Sequence, residues 1–494
     1  MTPPGQGPER GTEPQAGGRP GASAGPDAAT VPELRTDERV VTPGAASVAA
    51  PELERAMGLL QATATNVISM VGVGPFLTIP FMVAAMNGPH VMYAWIAGGV
   101  LAVADGLVYA QLGAALPGSG GGYLYLREAF KPFGLGRLMA FLFIFQTVLV
   151  APLSVAGGAV GFADYLQFVW TDLPPLVHHL IAASVCVVST ALLWRKIEDI
   201  GRLSVVMLVG VLITVGWVII AGLFNFSLAQ AFDYPAAAFR FDGALISSLG
   251  AASVLAMYSY GGYNQVCNIG DEIKDPARTV PRSIFLSIAI VAVLYMLMTI
   301  VIVGMIPWEQ VRDSRTVASI FIERTFADPA TGRIAGLVMT ALILFVAASS
   351  LYATILGYSR IPYAAARDGD FFKIFARVHP TKHFPDVSLV TIALVSIPFC
   401  FFTLGQLVSW LIQVQVLLRF IWQCAAVVLL RRYRPDIPQP FTMVLYPWPA
   451  ILSGALWLFI FFTGPWEGIA FSVVFLLVSV AAYAVFARTP RASA

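Results

Sequence analysis

Apolar runs long enough to cross a bilayer recur through most of this 494-residue chain, and no other feature leaves it so few folds. Spanning the hydrocarbon core takes about 20 helical residues. Twelve such runs can be traced, at 57–86, 91–116, 135–164, 175–194, 201–224, 244–270, 281–306, 333–361, 387–404, 406–430, 446–463 and 466–487. Only 12% of the residues are charged against 57% hydrophobic, and mean hydropathy is +0.76, which leaves too little charged surface for a soluble domain. The expectation is an all-α integral membrane protein with twelve transmembrane helices, embedded in the lipid bilayer of the plasma (inner) membrane.

Lys and Arg set the expected orientation, because cytoplasmic loops hold the excess of positive charge. With both termini inside, 24 of the 30 Lys and Arg fall on the inner side and only five fall outside, Arg419 lying within a span. Residues 1–50, rich in Pro, Gly, Ala and Ser with mixed charges, predict a disordered cytoplasmic tail, and 488–494 a short cytoplasmic one. The basic residues never gather in a run and net charge is only +2, so no nucleic acid is expected as partner. No partner subunit is evident.

Enzyme chemistry finds no support. Cys186, Cys267, Cys400 and Cys424 all fall inside apolar runs, which excludes a disulfide framework and a CxxC metal site. His178-His179, and His379 with His383, are expected in solvated loops, and no paired carboxylates, Ser/His/Asp set or metal-ligand cluster appears. No cofactor is expected. The turn Pro117-Gly118-Ser119-Gly120-Gly121-Gly122-Tyr123 lacks the GKS or GKT of a phosphate loop. Outside, 225–243 and 307–332 are the long segments, and the second predicts one short helix over the outer face, either a lid or a solvated loop helix.

Function is expected where the helices break. In the first run, Ser69-Met70-Val71-Gly72-Val73-Gly74-Pro75-Phe76 sets two glycines and a proline in consecutive turns, and both residue types disfavour a helix interior. At bilayer depth a break needs protein, water or a polar ligand for its freed amides and carbonyls. Alone, a Gly-x-Gly also serves close helix packing. The sixth run holds a second break, Tyr258-Ser259-Tyr260-Gly261-Gly262-Tyr263-Asn264. The two are corresponding positions if the first ten helices form two five-helix repeats, 51–224 and 244–430, the second inverted, with two extra C-terminal helices over 446–487. Matched interruptions of this kind point to the midplane substrate site of a secondary transporter. Amides at the start of a half-helix suit a carboxylate, and free carbonyls suit an ammonium or cation. Neither break carries a charged side chain, which fits a zwitterion such as an α-amino acid.

These stretches carry a family resemblance. Gly72-Val73-Gly74-Pro75-Phe76 resembles the GSGIF motif of the APC (amino acid, polyamine and organocation) superfamily. The sixth-helix run, continuing as Asp271-Glu272-Ile273-Lys274-Asp275-Pro276-Ala277-Arg278-Thr279-Val280-Pro281, is similar to that of L-type amino-acid transporters. Pro117 to Tyr125 resembles the family's P-x-x-GG-x-Y-x-Y turn, and Ser359-Arg360 through Arg367-Asp368-Gly369 its SR…ARDG ending of the eighth helix. The resemblance implies a LeuT-like inverted repeat of five plus five and alternating access. It implies that the backbone of Gly72, Val73 and Gly74 binds the substrate carboxylate, with Met70 and Val71 carbonyls near the amino group, Tyr258 as an aromatic gate, Gly261 beside the ligand and Asn264 lining the site. Val73 stands where the family commonly has Ser, so the amide remains and a hydroxyl donor is lost.

Coupling is read from the same comparison. Ser349 and Ser350 on the eighth helix fall near where sodium-coupled members place hydroxyls, and residues 203–224 lack the Lys that sodium-independent members use instead. The coupling ion is therefore Na+ or H+. Asp105, inside the second span, is either a proton carrier or a hydrogen-bonded structural group. Arg419 lies near enough to Arg431 to snorkel towards the interface, and is otherwise a substrate contact. The region from Arg419 to Pro438 looks like that of plant-type polyamine permeases. The expected function is secondary active transport of amino acids, neutral L-amino acids first. Polyamine or cationic amino-acid transport is the alternative within the class, and a transport-inactive membrane sensor the alternative outside it.

Overall fold

The computed structural model describes residues 55–72, 74–195, 197–235, 238–240 and 242–487. Val73 and both expected tails lie outside the described residues. Among those described, every extended element is helical. In order they are α1 (Leu59–Met70), α2 (Gly74–Met86), α3 (Met92–Ala115), α4 (Gly122–Phe130), α5 (Gly136–Tyr165), α6 (Pro175–Leu192), α7 (Ile197–Phe224), α8 (Leu228–Ala231), α9 (Gly243–Tyr260), α10 (Gln265–Asn268) and α11 (Pro276–Met305). There follow α12 (Trp308–Arg312), α13 (Val317–Arg324), α14 (Pro329–Arg367), α15 (Asp386–Phe399), α16 (Leu404–Gln415), a π turn (Val416–Phe420), α17 (Ile421–Tyr433), α18 (Trp448–Thr463) and α19 (Trp466–Phe486).

Nine of the described helical spans are long and apolar enough to cross a membrane, or ten when α1 and α2, bent by 42°, count as one. Two of the twelve expected runs, α15 and α18, are apolar but shorter, at 14 and 16 residues. Each is cut by its flanks. Pro385 precedes α15 and Thr403 caps the helix that follows it, while α18 begins after Pro447 and ends before Gly464-Pro465.

Exposure separates a lipid face from a core. On α7, Val206, Ile213 and Ile220 are 57–62% exposed at seven-residue spacing, while Val211, Val215 and Val218 are fully buried. A helix apolar on both faces, with one open, is solvated by hydrocarbon rather than water.

Three expectations change locally. The sixth run stops at Tyr260 instead of continuing to 270, because Gly261-Gly262 ends the helix before the four-residue α10. Segment 307–332 holds two helices, not one, because they dock on different partners: α12 packs on α2, and α13 on α14. The Tyr165 hydroxyl accepts from Ala318 N at 3.2 Å, and Ser319 pairs with Thr340 at 2.8 Å. His178 and His179 sit on the first turns of α6, not in a loop.

Candidate functional site

The two breaks face each other across one cavity, lined on this side by Ser69, Met70, Gly72 and Gly74 of the first and by Tyr258 to Asn264, Tyr260 excepted, of the second. Their approach is backbone to backbone. Gly262 has φ +124°, and a Cβ there would lie 2.8 Å from Ser69 Oγ and 2.9 Å from Met70 N. Only glycine meets both the left-handed conformation and that spacing.

Buried backbone groups at a break need partners, and several come from other helices. Tyr295, on α11, donates its hydroxyl to Met70 O at 2.7 Å and Ser259 O at 3.2 Å. Ser350, on α14, donates to Ser69 O at 3.1 Å. Asn66, one turn before the first break, accepts from Val266 N at 3.0 Å and so caps α10. Thr78 and Ser259 hydroxyls pair at 2.8 Å, tying α2 to α9. Tyr295 and Asn66 had no signal in the sequence, Tyr295 being a single polar group in an apolar run and Asn66 one of several polar residues of α1.

The expected residues divide. Met70, Gly72, Gly74, Tyr258, Gly261, Asn264 and Ser350 line the cavity. Val71 is fully buried and is not part of the wall. A Cβ on Gly72 would lie 2.6 Å from Ser350 Oγ, whereas one on Gly74 would rest in ordinary contact with the Tyr258 ring at 3.5 Å and Ser259 Oγ at 3.6 Å. Ser349 turns away, its hydroxyl donating to Phe345 O at 2.8 Å, one turn back on its own helix. Asp105 is not in the wall either. It accepts from Tyr263 Oη at 2.5 Å, Ser453 Oγ at 2.9 Å and Trp457 Nε1 at 3.1 Å, and Tyr263 and Trp457 themselves line the cavity.

Arg419 is 2% exposed and lines the cavity from the π turn, so its side chain does not run to the interface. Its Nε donates to Tyr109 Oη at 2.8 Å and its Nη1 to Gln415 Oε1 at 3.4 Å. The described wall contains this one cation and no carboxylate.

A family model described as amino acid permease matches residues 57–487. The chain belongs to the amino acid permease family. It is 25% identical over 409 residues to the cationic amino acid transporter 4 of Mus musculus, covering 78% of this chain and 61% of that protein. With the cystine/glutamate transporter of Homo sapiens it shares 27% identity over 413 residues, 81% of this chain and 79% of the relative. With the methylthioribose transporter of Bacillus subtilis (strain 168) it shares 24% over 455 residues, 88% and 94%. The chain thus spans less than two thirds of the mouse protein's length. The family and these relatives are transporters rather than enzymes, and the long apolar helices of this permease fit a multi-pass membrane protein.

In this permease the remaining motifs assemble into one clamp at the end of the bundle that carries the start of α1. Glu272 O accepts from Ala56 N and Met57 N at 3.1 and 3.0 Å, and its carboxylate is gripped by Arg360 through Nε at 2.8 Å and Nη2 at 3.3 Å. Both side chains are fully buried. Burial drives the Glu272 carboxyl upward and the Arg360 guanidinium opposes it, leaving it above the usual carboxylate range. Ser119 N donates to Asp271 Oδ2 at 3.1 Å, Gly120 N to Asn268 O at 3.1 Å, and Tyr123 Oη to Asp370 at 2.7 Å. Beside it, burial would raise Glu128, but Arg434, Lys131 and Arg127 outweigh it and hold the carboxyl below its ordinary value.

Proposed function

We propose that this permease is a secondary active transporter that carries an amino acid across the plasma membrane by alternating access. The contact of Gly262 with Ser69 and Met70 carries the reading, because it brings the two breaks onto a single cavity. The α-carboxylate is held by amides at the start of α2, around Gly72, Val73 and Gly74, and the α-ammonium by carbonyls at the end of α1. Tyr258 closes over the ligand, with Gly261 and Asn264 beside it. Two inverted five-helix repeats, 51–224 and 244–430, rock against each other, and 446–487 supplies two further helices of a twelve-span, LeuT-like layout. Both termini lie in the cytoplasm.

The names of the mouse and human relatives support an amino acid as cargo. A wall with Arg419 and no described carboxylate disfavours a polyamine or a cationic amino acid. For coupling, Ser350 with Ser69 O is the favoured sodium position, Ser349 being engaged elsewhere. A proton would instead use Asp105 through Tyr263.

Counterflow in proteoliposomes tests the reading. Labelled amino acid should accumulate against a preloaded unlabelled one, and no exchange of any of the common amino acids would leave a transport-inactive sensor as the better account.

A further inference from the structure

Arg419 is expensive where it lies. A guanidinium has five N–H donors and no acceptor, and leaving a buried charge without a counter-charge costs far more than a neutral polar group. Here Nε and Nη1 have partners in Tyr109 and Gln415, while Nη2 is buried with none among the described residues. No described carboxylate forms an ion pair with Arg419: the nearby Asp105 gives both its oxygens to Tyr263, Ser453 and Trp457. The rings of Tyr109, Phe143 and Phe420, 5.4–5.6 Å from the guanidinium carbon, hold the group in place.

The backbone beneath it is also irregular. Val416–Phe420 is a π turn within an otherwise α-helical run, a form that costs stability and collects at functional sites. Arg419 lines the same cavity as both breaks.

We propose that Arg419 receives an anionic group on the substrate's side chain, so that the amino acid carried is acidic. This rests on the transport reading above and replaces the neutral side chain expected from the breaks alone. The breaks hold the α-amino and α-carboxylate groups shared by every amino acid, and Arg419 supplies what they lack, a charge that distinguishes one side chain from another. A carboxylate matches the planar fork of a guanidinium, and its arrival gives Nη2 its partner. An apolar side chain would enter the same cavity and leave that donor unmet, and an amide would accept from it but leave the buried charge uncompensated, which is how a polar site rejects an analogue lacking the group.

Counterflow of L-glutamate, L-aspartate, L-glutamine and L-leucine through the purified full-length protein tests this. Glutamate and glutamine differ in the charge of one group, so the wild-type comparison needs no variant. Wild type should exchange glutamate or aspartate about 30-fold or more better than glutamine, the size of effect typical of losing one partner of a buried charged pair. Arg419→Gln should remove that preference, and Arg419→Lys, keeping charge but not the fork, should fall between. Equal exchange of glutamine and glutamate by wild type overturns the proposal and leaves transport standing; no exchange of any of the four also overturns it, and transport falls with it when the remaining common amino acids fail to exchange as well. Thermal stabilisation of wild type settles the case where the variants misfold. Stabilisation by glutamate over glutamine supports the proposal, and equal stabilisation by sodium chloride alone overturns it by making Arg419 an inorganic-anion site.

Discussion

The hydroxyl of Tyr295 donates to the carbonyl of Met70 at 2.7 Å, and the same hydroxyl lies 3.2 Å from Ser259 O. One proton therefore serves a carbonyl of each broken helix, from a third helix that is itself unbroken.

Tyr295→Phe keeps the ring and removes that proton. Two buried carbonyls then lose a donor, at about 1–3 kcal/mol. A lowered melting temperature and slower counterflow are expected, and a variant indistinguishable from wild type in both would show that the breaks do not depend on Tyr295.

Glycine substitutions should separate the fold from the site. Gly262→Ala adds a Cβ at φ +124° against the Ser69 and Met70 backbone, so assembly itself should fail, read as loss of the monodisperse peak. Gly74→Ala makes only ordinary contacts, with the Tyr258 ring at 3.5 Å and Ser259 Oγ at 3.6 Å, and should fold normally. Gly74→Leu should fold as well but abolish uptake, because its side chain fills the space assigned to substrate.

Sodium dependence should follow one serine and not its neighbour. With choline replacing sodium, uptake should fall in wild type. Ser350→Ala should lose that response, while Ser349→Ala, whose hydroxyl serves only Phe345 O, should keep it. Uptake unchanged in choline but strongly dependent on external acid would move coupling to Asp105.

Breaking the buried ion pair should be costly. Glu272→Gln leaves Arg360 buried without its counter-charge, at about 3–5 kcal/mol, measured as a lower thermal midpoint. The double variant Glu272→Gln with Arg360→Met should recover much of that loss.

Acid should weaken the clasp at Glu128. Its folded carboxyl lies below the ordinary value of 4.5, so its contribution is complete above 4.5 and is lost as pH falls through the lowered folded value. The difference in thermal midpoint between wild type and Glu128→Gln should be flat from neutral pH to about 5 and shrink below 4.5.

The breaks were legible because glycine and proline act locally, and each interrupts a helix whatever surrounds it. Their partners were not. Tyr295 comes from another helix, where a single polar residue in an apolar run has no period to mark it, and Asn66 is one of several polar residues of α1 with nothing local to single it out. Arg419 was visible as a charge, but its distance from Arg431 says nothing about the π turn that aims it inward. Span boundaries were legible where hydropathy changes sharply, and blurred at α9, where the apolar run continues past the point at which Gly261 ends the helix. The clamp was present in the sequence as separate motifs, since nothing local says that Ser119 meets Asp271 or that Tyr123 meets Asp370.

Glu272 holds two different things at once: its carbonyl grips the chain before α1, and its carboxylate grips α14. Displacing that one residue therefore frees both segments together, and the cost of stranding a buried charge falls on a single movement instead of being spread over many small ones.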